Sequence, residues 1–332
     1  MLVKDKLQII LITYNRAKHV QKTLEQFFFE GSPLMDSDFL VLDNNSTDNT
    51  QEIVKSWQEK FHNNKYSKNR YNLGISGNIA KAMEIAEKEY VWIIGDDDRF
   101  DFSNWSEVEN AINNNEKIIC LARYVLTNEQ KYSIPHQLLQ ITFITGGIYS
   151  TTLFSDITIK NTFDNIFTLF PHLPPIIKYI NENGKIYVVD KAIASNGMVL
   201  DETDCSYTRG ISVKEDLYDR TNRMTWILGY ANIITLLKDK KLQKECIKTA
   251  ILYKGIYGSW RNFYKNITLL YFNCQNFNYF LEIYKVLPIK QKNIFNYTNN
   301  IFKFLFSIRN SKCKKYKIIT ILGLKLKIRK EF

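Results

Sequence analysis

The sequence predicts an α/β fold, a mostly parallel sheet with helices on both faces, followed by a helical C-terminal region and a short basic β tail. Three observations carry this. Apolar or strand-forming runs at 7–13, 39–42, 66–71 and 90–94 are separated by helix-sized stretches, the signature of right-handed β-α-β crossovers. Each run ends in polar residues, so the polar clusters share one sheet edge, where open α/β sheets bind ligands. Near the C-terminus, Leu324-Lys325-Leu326-Lys327-Ile328-Arg329 alternates with period two.

Leu7–Thr13 is a buried strand leading into Tyr14-Asn15-Arg16. Val20, Leu24 and Phe27/Phe28 then recur at helical spacing, and Gly31-Ser32-Pro33 stops that helix. The strand Phe39–Leu42 ends in Asp43-Asn44-Asn45-Ser46-Thr47-Asp48, where Ser46 or Thr47 is placed to cap a helix carrying Ile53, Val54 and Trp57. A polar strand spans Tyr66–Tyr71. The loop Asn72–Asn78 precedes a helix through Ala80, Met83, Ile85 and Ala86.

Val91-Trp92-Ile93-Ile94 then breaks into Gly95 and three carboxylates, Asp96, Asp97 and Asp98. Adjacent acids repel unless a cation sits among them. Mg²⁺ commonly takes one or two protein carboxylates plus phosphates, so the stretch reads as a metal-bridged diphosphate site. A helix follows over Ser103–Ile112, then a strand over Lys117–Tyr124 and a strand with a glycine loop over Ile141–Ser150. A further helix starts near Pro171-His172-Leu173-Pro174-Pro175, and Gly184–Val189 forms a later strand. From Lys214 to Phe306 helical stripes dominate, among them Trp226, Tyr230, Ile233, Ile234 and Leu237, and Ile247, Ile251, Tyr257 and Trp260.

The chain has 332 residues and a net charge of +11. From Lys312 to the end it holds eight basic residues and one acid, which is +7 of that total. The body is therefore only mildly basic, and no nucleic-acid partner is expected. Five scattered cysteines with no C-x-x-C pair read as reduced thiols of a cytosolic protein. The histidines show no metal-ligand spacing. The N-terminal apolar run is too short for a signal peptide, and no stretch is long enough for a transmembrane helix.

Four motifs stand in order: Ile-Thr-Tyr-Asn-Arg ending at Arg16, Leu-Asp-Asn-Asn-Ser-Thr-Asp ending at Asp48, Asn-Leu-Gly-Ile-Ser-Gly-Asn ending at Asn78, and Gly-Asp-Asp-Asp ending at Asp98. Together they resemble the family 2 glycosyltransferases of the GT-A fold, strongly over Leu7–Arg99 and more loosely to Asn196. The resemblance implies a nucleotide-sugar transferase domain over 1–200, with a nucleotide half to about 100 and an acceptor half beyond it. A helical region over 201–310 and the basic amphipathic tail 311–332 follow.

It also implies roles. Thr13 and Tyr14 or Asn15 would contact the base, with Asp43 and Asn44 beneath it. Gly74 and Asn78 belong to the loop beside nucleotide and sugar, and Arg70 would add a phosphate contact. Asp96-Asp97-Asp98 matches the family's DxD-type motif. With Asp96 and Asp98 as the pair, Asp98 binds Mg²⁺ or Mn²⁺ directly and Asp96 faces the ribose or sugar; a shift of one makes Asp97 the key residue. Inverting members use a carboxylate base, often in a Glu-Asp pair, near the helix that starts at Pro171. No such pair stands there; His172 takes that place, with Asp164 as the second candidate.

The implied reaction moves a sugar from a nucleotide-diphosphate donor, expected to be a UDP-sugar, to a saccharide or lipid-linked saccharide acceptor of lipooligosaccharide, capsule or a related surface glycan. The tail suits an anionic membrane surface through 312–330, which places the protein in the cytoplasm on the inner membrane face. A non-catalytic nucleic-acid or membrane-binding protein on a degenerate transferase fold is the competing reading.

Overall fold

The structure is a computed structural model that describes residues 3–121, 127–197, 226, 229–252, 306–310, 316–321 and 324–329. The chain divides into two compact units, Met1–Tyr253 and Lys254–Phe332.

In the first unit a four-residue helix α1 (Val3–Lys6) leads into β1 (Leu7–Thr13), buried at all seven positions. There follow α2 (Ala17–Phe27), β2 (Asp38–Asp43), α3 (Thr50–Gln58), β3 (Asn64–Lys68), α4 (Gly74–Glu84), β4 (Tyr90–Gly95), β5 (Asp98–Phe100), α5 (Trp105–Asn113) and β6 (Ile118–Cys120). Beyond these come α6 (Asn128–Lys131), α7 (Ile134–Ile141), β7 (Gly147–Ser150), α8 (Asp156–Asp164), α9 (Leu173–Asn181), β8 (Tyr187–Val188) and β9 (Ala194–Asn196). A further helix spans Lys240–Leu252.

Seven strands form one sheet in the order β3-β2-β1-β4-β7-β6-β8. β3, β2, β1 and β4 are parallel; β7 runs antiparallel to both β4 and β6, and β8 is parallel to β6. The sheet is thus mixed, with the parallel half carrying the motifs. The chain runs outward from β1 through β2 to β3, then returns to lay β4 on β1's other side. The β1/β4 boundary is therefore a topological switch point, the place where such sheets open a ligand crevice.

Alternation along the strands explains burial on two faces. Leu7, Ile9 and Leu11, Phe39 and Val41, and Tyr90, Trp92 and Ile94 share one core with residues of α2, α3 and α5. Their neighbours Ile10, Leu42, Val91 and Ile93 are equally buried on the opposite side, where α4 packs on β1 and β4. Full burial of one such aliphatic side chain contributes about 1.5–3 kcal/mol, more than the roughly 1 kcal/mol span of strand propensity. Burial therefore decides these elements. Phe27 anchors an edge-to-face cluster with Phe39, Trp92, Phe100 and Phe102, its ring centroids 4.7–5.8 Å from theirs.

Several local expectations are corrected. α4 starts at Gly74, so Gly77 and Asn78 lie in its first turns and not in a loop. Neither Ser46 nor Thr47 caps α3; Asp48 Oδ1 instead accepts from the Thr50 amide (3.2 Å) and hydroxyl (2.6 Å), while its Oδ2 accepts from Ala17 N of α2 at 3.0 Å. One carboxylate thus serves two helix N-termini, where negative charge is favoured. β3 begins two residues before the expected strand. Ile141 ends a helix, and the strand of its segment starts only at Gly147. Pro174 and Pro175 stand in the first turn of α9, as expected.

The stripe Tyr230, Ile233, Ile234 and Leu237 is buried. Phe170 meets Trp226 and Tyr230 edge-on at 5.2 and 6.0 Å. In the second unit three antiparallel strands pair in the order Phe306–Asn310, Tyr316–Ile321, Leu324–Arg329. The strand Leu324–Arg329 of the basic tail was expected from its alternation. The strand Phe306–Asn310 was not, since it falls where the sequence reads as helix. The expected elements over 122–126, 198–225 and 253–305 lie outside the described residues.

Candidate active site

The loops after β1 and β4 meet at the switch point. Thr13 closes β1 with its side chain buried, and Thr13 Oγ1 donates to Asp96 Oδ2 at 2.7 Å. Arg16 Nη1 donates to the other Asp96 oxygen at 2.8 Å and to Asp97 Oδ2 at 3.0 Å. Asp96 is thus engaged on both carboxylate oxygens, and Asp97 keeps about a quarter of its side chain exposed (23%).

Asp98 differs. It is 2% exposed and belongs to β5, paired with Asn196 of β9. Thr145 Oγ1 donates to Asp98 Oδ2, and the Gly95 amide donates to that same hydroxyl at 2.9 Å. Thr145 is itself held by the core, because Trp92 Nε1 donates to its carbonyl at 2.9 Å. A Cβ at Gly95 would stand 2.9 Å from Asp98 Oδ2, so any larger residue there would make the carboxylate shift. From α2, one turn apart, Thr23 Oγ1 donates to Asp96 O at 3.1 Å and Gln26 Nε2 donates to Asp98 O at 3.1 Å. Burial, then the charges of Asp97 and Asp96, raise the Asp98 pKa from 3.8 to about 7.

The loops after β2 and β3 are zipped to this edge by amides. Asn44 Nδ2 donates to Asn72 Oδ1 (2.7 Å) and Gly74 O (3.2 Å), and its Oδ1 accepts from Leu73 N (2.9 Å) and Asn69 Nδ2 (3.1 Å). Asn69 also donates to Asn78 Oδ1 at 2.8 Å. Asp43, fully buried, accepts from Ser46 N at 2.8 Å and from the Tyr66 hydroxyl at 2.6 Å. Asn15 (φ +52°) ties the first loop to the second: its amide donates to Ser46 Oγ at 2.8 Å and its Oδ1 accepts from Thr47 N at 2.7 Å. Gly74 enters α4 with φ +69°, a conformation that favours glycine.

Among the residues expected to touch a nucleotide, then, Asp43, Asn44, Asn78 and Thr13 are buried and bonded to the protein. Tyr14 is 38% exposed, and the exposed Arg70 lies over the Tyr71 ring at 5.2 Å. Thr23 and Gln26 escaped the sequence reading, and Thr145 was read only as part of a strand with a glycine loop; it stands 47 residues from the carboxylate it holds.

His172, expected as the general base, is buried. It is 1% exposed, its Nε2 lies 2.9 Å from Ile141 O, and its Nδ1 is buried without a partner. Burial pushes its pKa down to about 4, so the ring is neutral near pH 7 and a weak proton acceptor, shut off from any hydroxyl in this conformation. Asp164, the last residue of α8, is half-exposed and paired with Lys160.

Among the described residues no group of three or more His, Cys, Asp or Glu is placed to hold a metal ion, and no helix is long and apolar enough to cross a membrane. A metal that takes one or two carboxylates together with phosphate oxygens needs no such group.

Residues 8–172 match the family model described as glycosyl transferase family 2. The abequosyltransferase of Salmonella typhimurium is 31% identical over 87 residues, 26% of this chain and 26% of that protein. The match covers 31%, 26% and 43% of the length of three such curated relatives, less than half of each. A crystal structure of Staphylococcus aureus TarS 1–349 in complex with UDP-GlcNAc superposes with TM-score 0.54 at 14% identity, covering 98% of this chain and 99% of that one. The mannosyltransferase of Pyrobaculum calidifontis in complex with GDP-Man and Mn²⁺ gives TM-score 0.51 at 12% identity, covering 90% and 87%. At these identities the likeness is one of fold, the GT-A type.

Proposed function

Because the chain belongs to glycosyl transferase family 2 through residues 8–172, we propose that it transfers a sugar from a nucleotide-diphosphate donor, a UDP-sugar first among them, to a saccharide acceptor of a surface glycan. One observation carries the reading. A carboxylate that burial has raised to about pKa 7 sits at the switch point beside two further acids. A buried acid of that kind is costly to ionise, and a divalent cation shared with a diphosphate offsets the cost.

The donor set fits such a cation in its chemistry: hard carboxylate oxygens, with about a quarter of the Asp97 side chain exposed (23%). Asp98 is the residue that would hold it. A bound Mg²⁺ or Mn²⁺ neutralises charge on the departing diphosphate. That relatives of this fold were crystallised with UDP-GlcNAc, or with GDP-Man and Mn²⁺, supports the reading. The chain's own residues do the rest. Thr145, Thr23 and Gln26 fix the acid loop, and Asn44 and Asn15 lock three loops into one edge. Tyr14, Asn15 and Arg70 are the proposed contacts to base and phosphate. Asp164, an exposed carboxylate, is the proposed proton acceptor from the acceptor hydroxyl, in preference to His172. Inversion at the sugar is proposed with it.

The alternating basic tail favours attachment to an anionic membrane surface, where each cation adds roughly 1 kcal/mol. A non-catalytic binding protein is disfavoured by the intact and internally positioned acid triplet.

The test is release of nucleoside diphosphate from a panel of UDP-, GDP-, CDP- and dTDP-sugars by the purified full chain with Mn²⁺ or Mg²⁺. Slow hydrolysis of one donor, abolished by EDTA, is expected. Failure to bind or turn over any nucleotide sugar while folded would contradict the proposal.

A further inference from the structure

Arg16 is the motif residue that the reading above leaves without a task. It stands at the entry to α2 with its side chain only 10% exposed. Its Nη1 bridges Asp96 Oδ1 (2.8 Å) and Asp97 Oδ2 (3.0 Å). These residues lie 80 and 81 positions away in sequence, yet β1 and β4 are neighbours in the sheet, so the pairing spans the switch point. Exposed ion pairs are weak because water screens them, but this one is shielded from solvent, so the attraction is stronger. The arginine stays charged at any working pH.

The consequence is a division of the triplet. Asp96 has both oxygens engaged, by Arg16 and Thr13, and Asp97 shares the same guanidinium nitrogen. Asp98 is bonded by a neutral hydroxyl, that of Thr145. We infer that Arg16 is a positioning residue that offsets part of the charge of Asp96 and Asp97 in the ligand-free protein, so that the triplet takes a divalent cation together with a diphosphate rather than alone. Three uncompensated carboxylates would bind such a cation by themselves and keep it after the product formed. With one fixed positive charge against them, the cation needs the phosphate oxygens to complete its shell, and it leaves with them.

This inference rests on the donor-site reading, and the test separates the two. Mn²⁺ is titrated calorimetrically into the full chain without nucleotide and at saturating UDP, for wild type, Arg16→Met and Arg16→Lys. Wild type is expected to bind Mn²⁺ at least about tenfold more tightly with UDP than without. Arg16→Met should bind Mn²⁺ alone at least about tenfold more tightly than wild type, with a smaller gain from UDP. Arg16→Lys keeps the charge and should stay near wild type. A merely structural role would lower the melting temperature and leave the nucleotide-free Mn²⁺ affinity unchanged or weaker, which would overturn the inference. So would wild type binding Mn²⁺ equally well with and without UDP, an arm that needs no variant to fold. If wild type binds no UDP at all, the donor-site reading fails, while the nucleotide-free comparison still decides the role of Arg16.

Discussion

Asp98 couples the chemistry of the site to the stability of the fold. Its pKa lies at about 7, against 3.8 ordinarily, with burial the largest cause and Asp97 the next. A raised carboxyl pKa means that the folded protein holds a proton which the unfolded chain has already released. Stability therefore falls as pH rises from about 4 to about 7, by of order 4 kcal/mol for a shift of this size. Denaturant unfolding of the metal-free protein at pH 4.5, 6 and 7.5 should show that decline, and Asp98→Asn should flatten it. The triplet itself was legible in the sequence, because three acids after an apolar run form a local pattern. Thr145, which bonds Asp98, was not, because the bond depends on how β4 lies against the turn before β7. His172 shows the reverse: its place at the helix start was read correctly, but its burial is a tertiary fact. Accordingly Asp164→Asn is expected to lower turnover about a hundredfold or more with unchanged UDP affinity. His172→Asn should mainly lower the melting temperature. The opposite pattern would return the base to His172.

Among the elements, β4 carries the site on a rigid support. Trp92 is fully buried among aromatic rings, and its indole N–H is spent on the Thr145 carbonyl. Trp92→Phe keeps most of the packing and leaves that carbonyl without its donor. A loss of about 1–3 kcal/mol in denaturant unfolding is expected, together with weaker metal-dependent nucleotide binding as Thr145 loosens. Undiminished binding would mean that Thr145 is held by other means. The central strands were legible because both faces are buried, so each reads as a continuous apolar run. The edge strand β3 is polar, and it starts two residues before the expected strand. The start of α4 was hidden by its own glycines: Gly74 and Gly77 read as loop, yet Gly74 supplies the positive φ from which the helix begins. Phe306–Asn310 was missed because an aromatic, amphipathic sequence without turn signals fits helix or strand alike.

At the scale of the whole molecule, charge is segregated: +7 of the net +11 lies beyond residue 311. Replacing Lys325, Lys327 and Arg329 by Gln should weaken binding to vesicles of anionic lipid by roughly fivefold per charge, leave binding to neutral vesicles unaltered and leave UDP affinity intact. Equal vesicle binding by the variant would remove the membrane role from the tail. The central claim, that Asp98 and its partners form a metal-dependent nucleotide site, is tested most directly by calorimetric titration of UDP and other nucleoside diphosphates into the full chain with and without Mn²⁺, in parallel with Asp98→Asn. Binding that requires Mn²⁺ and disappears in a folded Asp98→Asn is the expected result. Nucleotide binding indifferent to both the metal and that substitution, or no binding at all, would contradict the claim.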